Sequence, residues 1–334
     1  MSKSKPPRAL VLLSGGLDSQ LAIRVLQNAG LEVAALTFTS PFFSSEKAER
    51  AVKQLGVEHI IEDISDIHFP IVLDPPHGRG KNMNPCIDCH GLMFRLAADI
   101  ARSPLSSFAK ATADKSRGQG GFDIVASGEV LGQRPFSQNK QALKIVEKIA
   151  GIEILRPLCA KNLEETVYER EGLVDRDKLL DFHGKNRKPQ IALAAEFGIK
   201  DYPTPAGGCL LTDPGYSARL RVLLERDPQA TPEDASLLKT GRFLPLGKKS
   251  FAMIGRDKAE SEKLHTLESP EIYLIRMQDF VGPTALLQIK KPDSFEKIFP
   301  ELAERIRGYG RDSKSHEGEI QFKVWGKLED TREI

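Results

Sequence analysis

Six residues, Ser14-Gly15-Gly16-Leu17-Asp18-Ser19, stand between an apolar run from Ala9 to Leu13 and a helix-periodic stretch from Gln20 to Asn28. A glycine pair at such a strand-to-helix turn lets the backbone bend tightly and come close to a ligand. The first helical turn beyond it presents unpaired N–H groups at the positive end of the helix dipole. Ser14 and Ser19 add hydroxyl donors, so the turn suits an anion, phosphate above all. It is not a Walker loop, which needs a Lys after its last glycine. A merely capped turn would explain Gly-Gly alone; the full arrangement after a strand favours the anion cradle.

The second group with chemistry is the cysteines, of which the chain has four. Cys86 and Cys89 form a C-x-x-C beside Pro85 in "NMNPCIDCHGLMF", and Cys209 follows two glycines in "TPAGGCLL". Four cysteines in a reducing compartment are a poor disulfide framework, so their spacing points to a metal or a nucleophile. The thiols of Cys86 and Cys89 converge if Cys86 sits on the turn entering a helix, where a thiolate is expected to have a lowered pKa. Cys159, in "LRPLCAKN", reads as a buried small residue.

These residues need elements to hold them. Strand patterns at Ala9–Leu13, Glu32–Thr39 and His59–Ile64 alternate with helical patterns from Ser19 and over Ser45–Leu55. The rhythm predicts an α/β domain with a doubly wound parallel sheet and a ligand crevice at the carboxyl ends of its strands. A helix from about Cys89 to Ala101, a strand at Phe122–Ser127 and a helix from Ser137 to Ala150 continue it. Residues 103–121, "SPLSSFAKATADKSRGQGG", are small, polar and glycine-rich and read as a flexible insertion. Short helical patterns dominate from Leu155 to Asp201. Beyond a boundary near Pro228, strands at Ser250–Ile254, Glu271–Met277 and Thr284–Ile289 indicate a smaller α+β domain. The expected division is a nucleotide-binding domain over 1–160, a helical continuation carrying the distal cysteine loop over 161–228, and a C-terminal domain over 229–334.

With 334 residues, 40% hydrophobic and 28% charged, the chain can bury a large core. A formal charge of +2 gives no global basic signature, so any nucleic-acid contact must come from local clusters. No signal-peptide pattern and no apolar run of membrane-spanning length is present, which makes a cytoplasmic location without membrane contact the expectation.

The segment Ser14–Ser19 resembles the SGGxDS pyrophosphate loop of the N-type ATP pyrophosphatases, which include tRNA thiolases, NAD and GMP synthetases and asparagine synthetase. The resemblance implies an adenine nucleotide alpha hydrolase-like fold, ATP bound by Ser14, Gly15, Gly16, Asp18 and Ser19, cleavage between the α- and β-phosphates, and Mg²⁺ placed by Asp18. Asn84-Pro85-Cys86-Ile-Asp-Cys89-His90 is similar to the Asn-Pro-Asp-x-x-Cys-Asn segment of tRNA 2-thiouridylases. Cys209 falls where that family carries its second catalytic cysteine. "DIVASGEVLGQRPFSQ" corresponds in order to the family's nucleotide-touching Ala-Thr-Gly-His segment, with Glu129 in place of the histidine. There Gly128 allows close approach, and Gln133, Arg134 and Gln138 offer donors. Cys86 stands where the classical enzyme has aspartate. The three cysteines Cys86, Cys89 and Cys209 thus resemble the iron–sulfur variant of tRNA thiolases, in which they hold a 4Fe-4S cluster. Zinc competes, and would need His90 as a further ligand.

Further on, "LLKTGRFLPLGKKSFAMIGRDKAESEKL" resembles the RNA-binding module of NFACT proteins. Arg242, Lys248, Lys249 and Arg256, with Lys258 and with Phe243 and Phe251 interleaved, are the candidate RNA contacts; a solvated charged face is the alternative. The leading expectation is an ATP-dependent tRNA sulfurtransferase of the 2-thiouridylase or 4-thiouridine synthetase kind. It would act through Asp18, Cys89 and Cys209, by a cluster or by a persulfide on Cys209 that Cys89 resolves. tRNA is the expected partner. No THUMP-like or rhodanese segment is evident, so sulfide or a persulfide carrier protein is the expected donor; a homodimer is a further expectation. Two other readings stand beside it: an amide-forming ligase of the NAD or GMP synthetase type, which needs no cysteines, and a non-catalytic RNA-binding protein, against which the intact loop argues.

Overall fold

The computed structural model describes residues 5–102, 121–204, 208–267, 272–326 and 331–333. Residues 103–120 of the expected insertion lie outside them. The chain divides into two compact units, 1–212 and 213–334.

In the first unit the order is β1 (Arg8–Leu12), α1 (Leu17–Asn28), β2 (Glu32–Thr39), α2 (Glu46–Leu55), β3 (Glu58–Asp63), α3 (Ser65–Leu73), α4 (Cys86–Arg102), β4 (Ile124–Ser127), α5 (Lys140–Ala150), α6 (Val167–Arg170) and α7 (Lys188–Glu196). The strands pair in the order β3-β2-β1-β4, all parallel. Alternation along them feeds two cores. Ala9, Val11, Ile124 and Ala126 pack with Leu21, Leu26 and Ala48 on one face. Leu10 and Val125 pack with Leu92, Phe94, Ala142 and Val146 on the other. This is the expected doubly wound sheet, and β1 lies between β2 and β4, so the order reverses at β1. The loops after β1 and β4 therefore face one crevice at the carboxyl ends of the strands.

The second unit comprises α8 (Pro214–Arg226), α9 (Pro232–Leu237), β5 (Arg242–Pro245), β6 (Phe251–Ile254), α10 (Lys258–His265), β7 (Ile272–Met277), β8 (Ala285–Gln288), α11 (Phe295–Tyr309), β9 (Phe322–Trp325) and β10 (Thr331–Glu333). Its sheet runs β10-β9-β7-β8-β6-β5, with antiparallel pairing throughout. Ile298, Leu302 and Ile306 of α11 close the core beneath it.

The boundary differs from the expected Pro228, because α8 is bonded to segments on its C-terminal side. Tyr216 Oη donates to the Ala235 carbonyl at 2.8 Å, Arg226 donates to the Leu246 carbonyl at 3.0 Å, and Asp227 pairs with Lys249 and Lys290. The 161–228 segment is therefore split: its part up to 212 completes the first unit, and its last turns open the second.

Candidate active site at the end of the parallel sheet

Gly15 has φ +76°, and a Cβ there would lie 2.3 Å from the Lys47 carbonyl carbon, so α2 admits only glycine at this point. Gly16 caps α1. The turn is held from inside: Ser19 Oγ donates to the Gly16 carbonyl at 2.9 Å, the Gly16 amide donates to Ser14 Oγ at 3.3 Å, and buried Gln20 Nε2 donates to the Gly15 carbonyl at 3.0 Å. Ser14 and Ser19 thus stand side by side at the N-terminus of α1, with their hydroxyls 3.3 Å apart.

The β4 loop closes on this turn. A Cβ at Gly128 would meet the Asp18 carbonyl oxygen at 2.4 Å and the Ser19 amide nitrogen at 2.6 Å, so glycine is required for backbone-to-backbone approach. Farther along, Gln133 Nε2 donates to Asp18 Oδ2 at 3.1 Å, and Arg187 stands 3.5 Å from the same oxygen. Asp18 Oδ1 is buried with no hydrogen-bond partner. A lone carboxylate oxygen beside a phosphate-suited turn fits a divalent cation.

Three thiols gather on the other side of the same loop. Cys86 is the first residue of α4, and Cys89 follows on the same helix face. Cys209 reaches them because backbone ties join distant loops: the Met83 amide donates to the Leu211 carbonyl at 3.1 Å, and Asn82 Nδ2 donates to the Thr212 carbonyl at 2.7 Å. Burial is the largest influence on each thiol. It raises Cys86, against the lowering expected for a helix N-terminus, because desolvation outweighs Arg134 and a hydrogen bond with Ser137. It pushes Cys209 up to about 12, and it lifts Cys89 well above the ordinary thiol value, where Cys209 and Cys86 repel a thiolate further. The three thiols lie within electrostatic reach of one another, and Arg134 reaches Cys86 and Cys209.

Among the described residues, no three His, Cys, Asp or Glu side chains close around a point where one metal ion could sit. His90 has its Nδ1 engaged, 2.8 Å from Glu129 Oε1. Thiolates are the natural ligands of an iron–sulfur cluster, so the three free thiols are a donor set of the right chemistry for one.

Glu129, where the resemblance led a histidine to be expected, is engaged in a buried network. Glu129 is buried, and its carboxylate receives Arg156 Nε at 3.0 Å as well as the His90 ring. Burial alone would raise this carboxyl, but Arg156 and His90 outweigh it and hold it at about 2. Sequence reasoning missed this network and Arg187. The available signal was the spacing of His90, one helical turn after Cys86 and on its face. Cys159 is fully buried, as expected, with its thiol donating to the Glu129 carbonyl.

The basic residues expected to contact RNA are all in the second unit and are differently occupied. Arg256 is paired with Glu260 and Lys249 with Asp227. The Arg242 guanidinium lies 4.8 Å over the Tyr309 ring, and the Lys248 amide donates to Asp293. Phe251 is 1% exposed and Phe243 packs on it, so Phe251 belongs to the core and is not a stacking surface.

Residues 5–73 match the family model described as thiamine biosynthesis protein (ThiI). The chain is 31% identical over 160 residues to a "Probable tRNA sulfurtransferase" of Finegoldia magna, covering 48% of this chain and 38% of that protein. It is 27% identical over 193 residues to the tRNA-specific 2-thiouridylase MnmA of Desulfosudis oleivorans, covering 50% of this chain and 54% of the relative. The chain thus spans about half or less of the length of these relatives. Among solved structures, a "predicted subunit of tRNA methyltransferase" from Methanocaldococcus jannaschii aligns at 19% identity and TM-score 0.39, over 68% of this chain and 91% of that one.

Proposed function

We propose that the chain is an ATP-dependent tRNA sulfurtransferase, which adenylates a base oxygen of tRNA and replaces it with sulfur. The observation that carries this reading is the loop Gly128–Arg134. At one end it is pressed against Asp18 and Ser19, and at the other its Arg134 acts on Cys86 and Cys209. A nucleotide site and a sulfur site therefore share one wall.

ATP lies with its phosphates against Ser14, Gly15, Gly16 and Ser19. The base oxygen attacks the α-phosphorus and pyrophosphate leaves. A sulfur nucleophile then adds at the base carbon, and the C–O bond to AMP breaks. Asp18 would hold Mg²⁺, which offsets phosphate charge when bound. Cys86, Cys89 and Cys209 would hold the 4Fe-4S cluster, which when bound supplies a place for inorganic sulfide. The target base is reached in a loop or flipped from its stack. Sulfide or a persulfide carrier supplies the sulfur, and Arg242 and Lys248 add phosphate contacts in the second unit.

Purification without oxygen, followed by iron and acid-labile sulfide analysis, tests the cluster. About four of each per chain, lost on Cys86→Ser, is the expected result. A chain that stays metal-free after reconstitution overturns the cluster and leaves the Cys209 persulfide with Cys89 as resolving thiol. Sulfur incorporation into tRNA, measured with serine at positions 86, 89 and 209, tests the wider reading. An ATP-consuming activity indifferent to all three substitutions would instead fit an amide-forming ligase.

A further inference from the structure

The second unit holds 21 Lys and Arg against 21 Asp and Glu, so a polyanion can be held there only where cations stand without carboxylates. One such place is Arg276 on the outer face of β7, whose neighbour Lys323 on β9 stands opposite Glu333 of β10. In the register of β7 and β9 Arg276 is opposite Lys323 and Leu274 is opposite Trp325. Strand alternation sends Ile275, Met277, Phe322 and Val324 into the core under α11 and puts Arg276, Lys323 and Trp325 together on the other face. The Arg276 guanidinium is 5.5 Å from the Trp325 ring centre, and Lys323 Nζ is 5.7 Å from it. Arg276 is exposed, while Lys323 and Trp325 are half-buried. Among the residues whose side chains are described, no ion pair takes Arg276, while Lys323 has Glu333 as its register partner on β10. The indole is fixed by the His265 ring, which meets it edge-on at 5.8 Å, and His265 Nε2 in turn lies 3.3 Å from Thr284 Oγ1.

We propose that Trp325, Arg276 and Lys323 form a binding site for unpaired RNA, with a base stacked on the indole and the flanking phosphates held by the two cations. An immobilised ring offers its face only to a base released from its own stack, and an exposed guanidinium with an ammonium beside it matches the phosphates that accompany such a base. A duplex hides its base faces and satisfies the cations alone. The assignment rests on the tRNA reading above for the identity of its ligand. It places the contact on residues that the sequence reading did not single out, away from the internally paired Lys249 and Arg256.

Trp325 is the single tryptophan of the chain, so its emission reports on this site directly. The full chain is titrated with a tRNA transcript, with a uridine-rich single strand and with that strand annealed to its complement, while binding is followed independently by the anisotropy of labelled RNA. Saturable quenching by the tRNA and the single strand, with little quenching by the duplex, is expected. Arg276→Ala with Lys323→Ala, and separately Trp325→Ala, should weaken single-strand binding about tenfold or more while leaving ATP binding unchanged. Trp325→Phe keeps an aromatic face and should retain most of the affinity, which separates lost stacking from lost folding.

RNA binding that leaves the emission and all variant affinities unaltered overturns the site and leaves the tRNA reading standing. Equal quenching by poly-glutamate overturns it in favour of an acidic protein partner. Quenching by RNA without sulfur incorporation into any tRNA keeps the site and overturns the sulfurtransferase reading. Absence of all RNA binding overturns both.

Discussion

Glu129 shows how a single residue sets the character of the crevice. Its carboxylate is buried between Arg156 and His90, and its folded value of about 2 lies below the ordinary 4.5. A depressed carboxyl stabilises the fold fully above its ordinary value, and that contribution is lost as pH falls through the folded one. Glu129→Gln removes one partner of a buried ion pair and should cost about 3 kcal/mol at neutral pH. In thermal melts the gap between wild type and variant should be full above about pH 5 and narrow as the pH approaches about 2. A gap that does not change with pH would mean that the carboxylate's charge is immaterial. Gly128 makes a second case at this scale. A methyl there would enter the space of the Asp18 carbonyl and the Ser19 amide, both of them backbone groups that cannot rotate away. Gly128→Ala should lower ATP affinity at least tenfold, measured by calorimetry, through displacement of the phosphate turn. Unchanged affinity would separate the β4 loop from nucleotide binding.

At the scale of elements, the distal cysteine depends on loop-to-loop bonds that no local pattern announces. Asn82 has φ +58°, a left-handed conformation that asparagine tolerates, and its side chain reaches the Thr212 carbonyl across the fold. Asn82→Ala loses both the tolerance and the bond. It should reduce sulfur transfer about fivefold or more while ATP binding, which depends on the turn after β1, stays the same; equal losses in both assays would point to general destabilisation instead. The parallel sheet is legible in the sequence for a physical reason. β1, β2 and β4 are largely buried runs and β3 is a half-exposed edge strand, their periods and flanking helices are local properties, and the pattern at Glu32–Thr39 predicts β2 at its observed bounds. The turn after β1 is legible because glycine and serine act within six residues. The Glu129 network is not, since it joins α4, β4 and the segment at Arg156 through side chains far apart in sequence. The thiols' electrostatics run against the sequence-based expectation because a helix N-terminus is visible in sequence while depth of burial is not.

At the scale of the whole molecule, the balance of charge decides how the proposed tRNA substrate can be held. The chain has a net charge of +2 and its second unit has equal numbers of acidic and basic residues, so no broad positive field draws RNA in. Several of the cations that cluster in sequence are already matched: Lys249 by Asp227, Lys290 by Asp227 and Asp234, and Arg256 by Glu260. What is left for phosphate is a handful of groups, chief among them Arg276 beside Trp325, with Lys323 next to it opposite Glu333. Each phosphate neutralised on single-stranded RNA contributes about −0.7 to the slope of log affinity against log salt. Three or four such contacts predict a slope of about −2 to −3, far shallower than that of a protein with an extended basic stripe. Stacking on the indole is insensitive to salt and should supply the remainder, so Trp325→Ala should lower affinity at every salt concentration and leave the slope nearly intact, whereas Arg276→Ala with Lys323→Ala should flatten it by about 1.4. A wild-type slope steeper than about −6 would require many cations acting together, and recognition would then have to be spread over a surface much larger than this corner of the sheet.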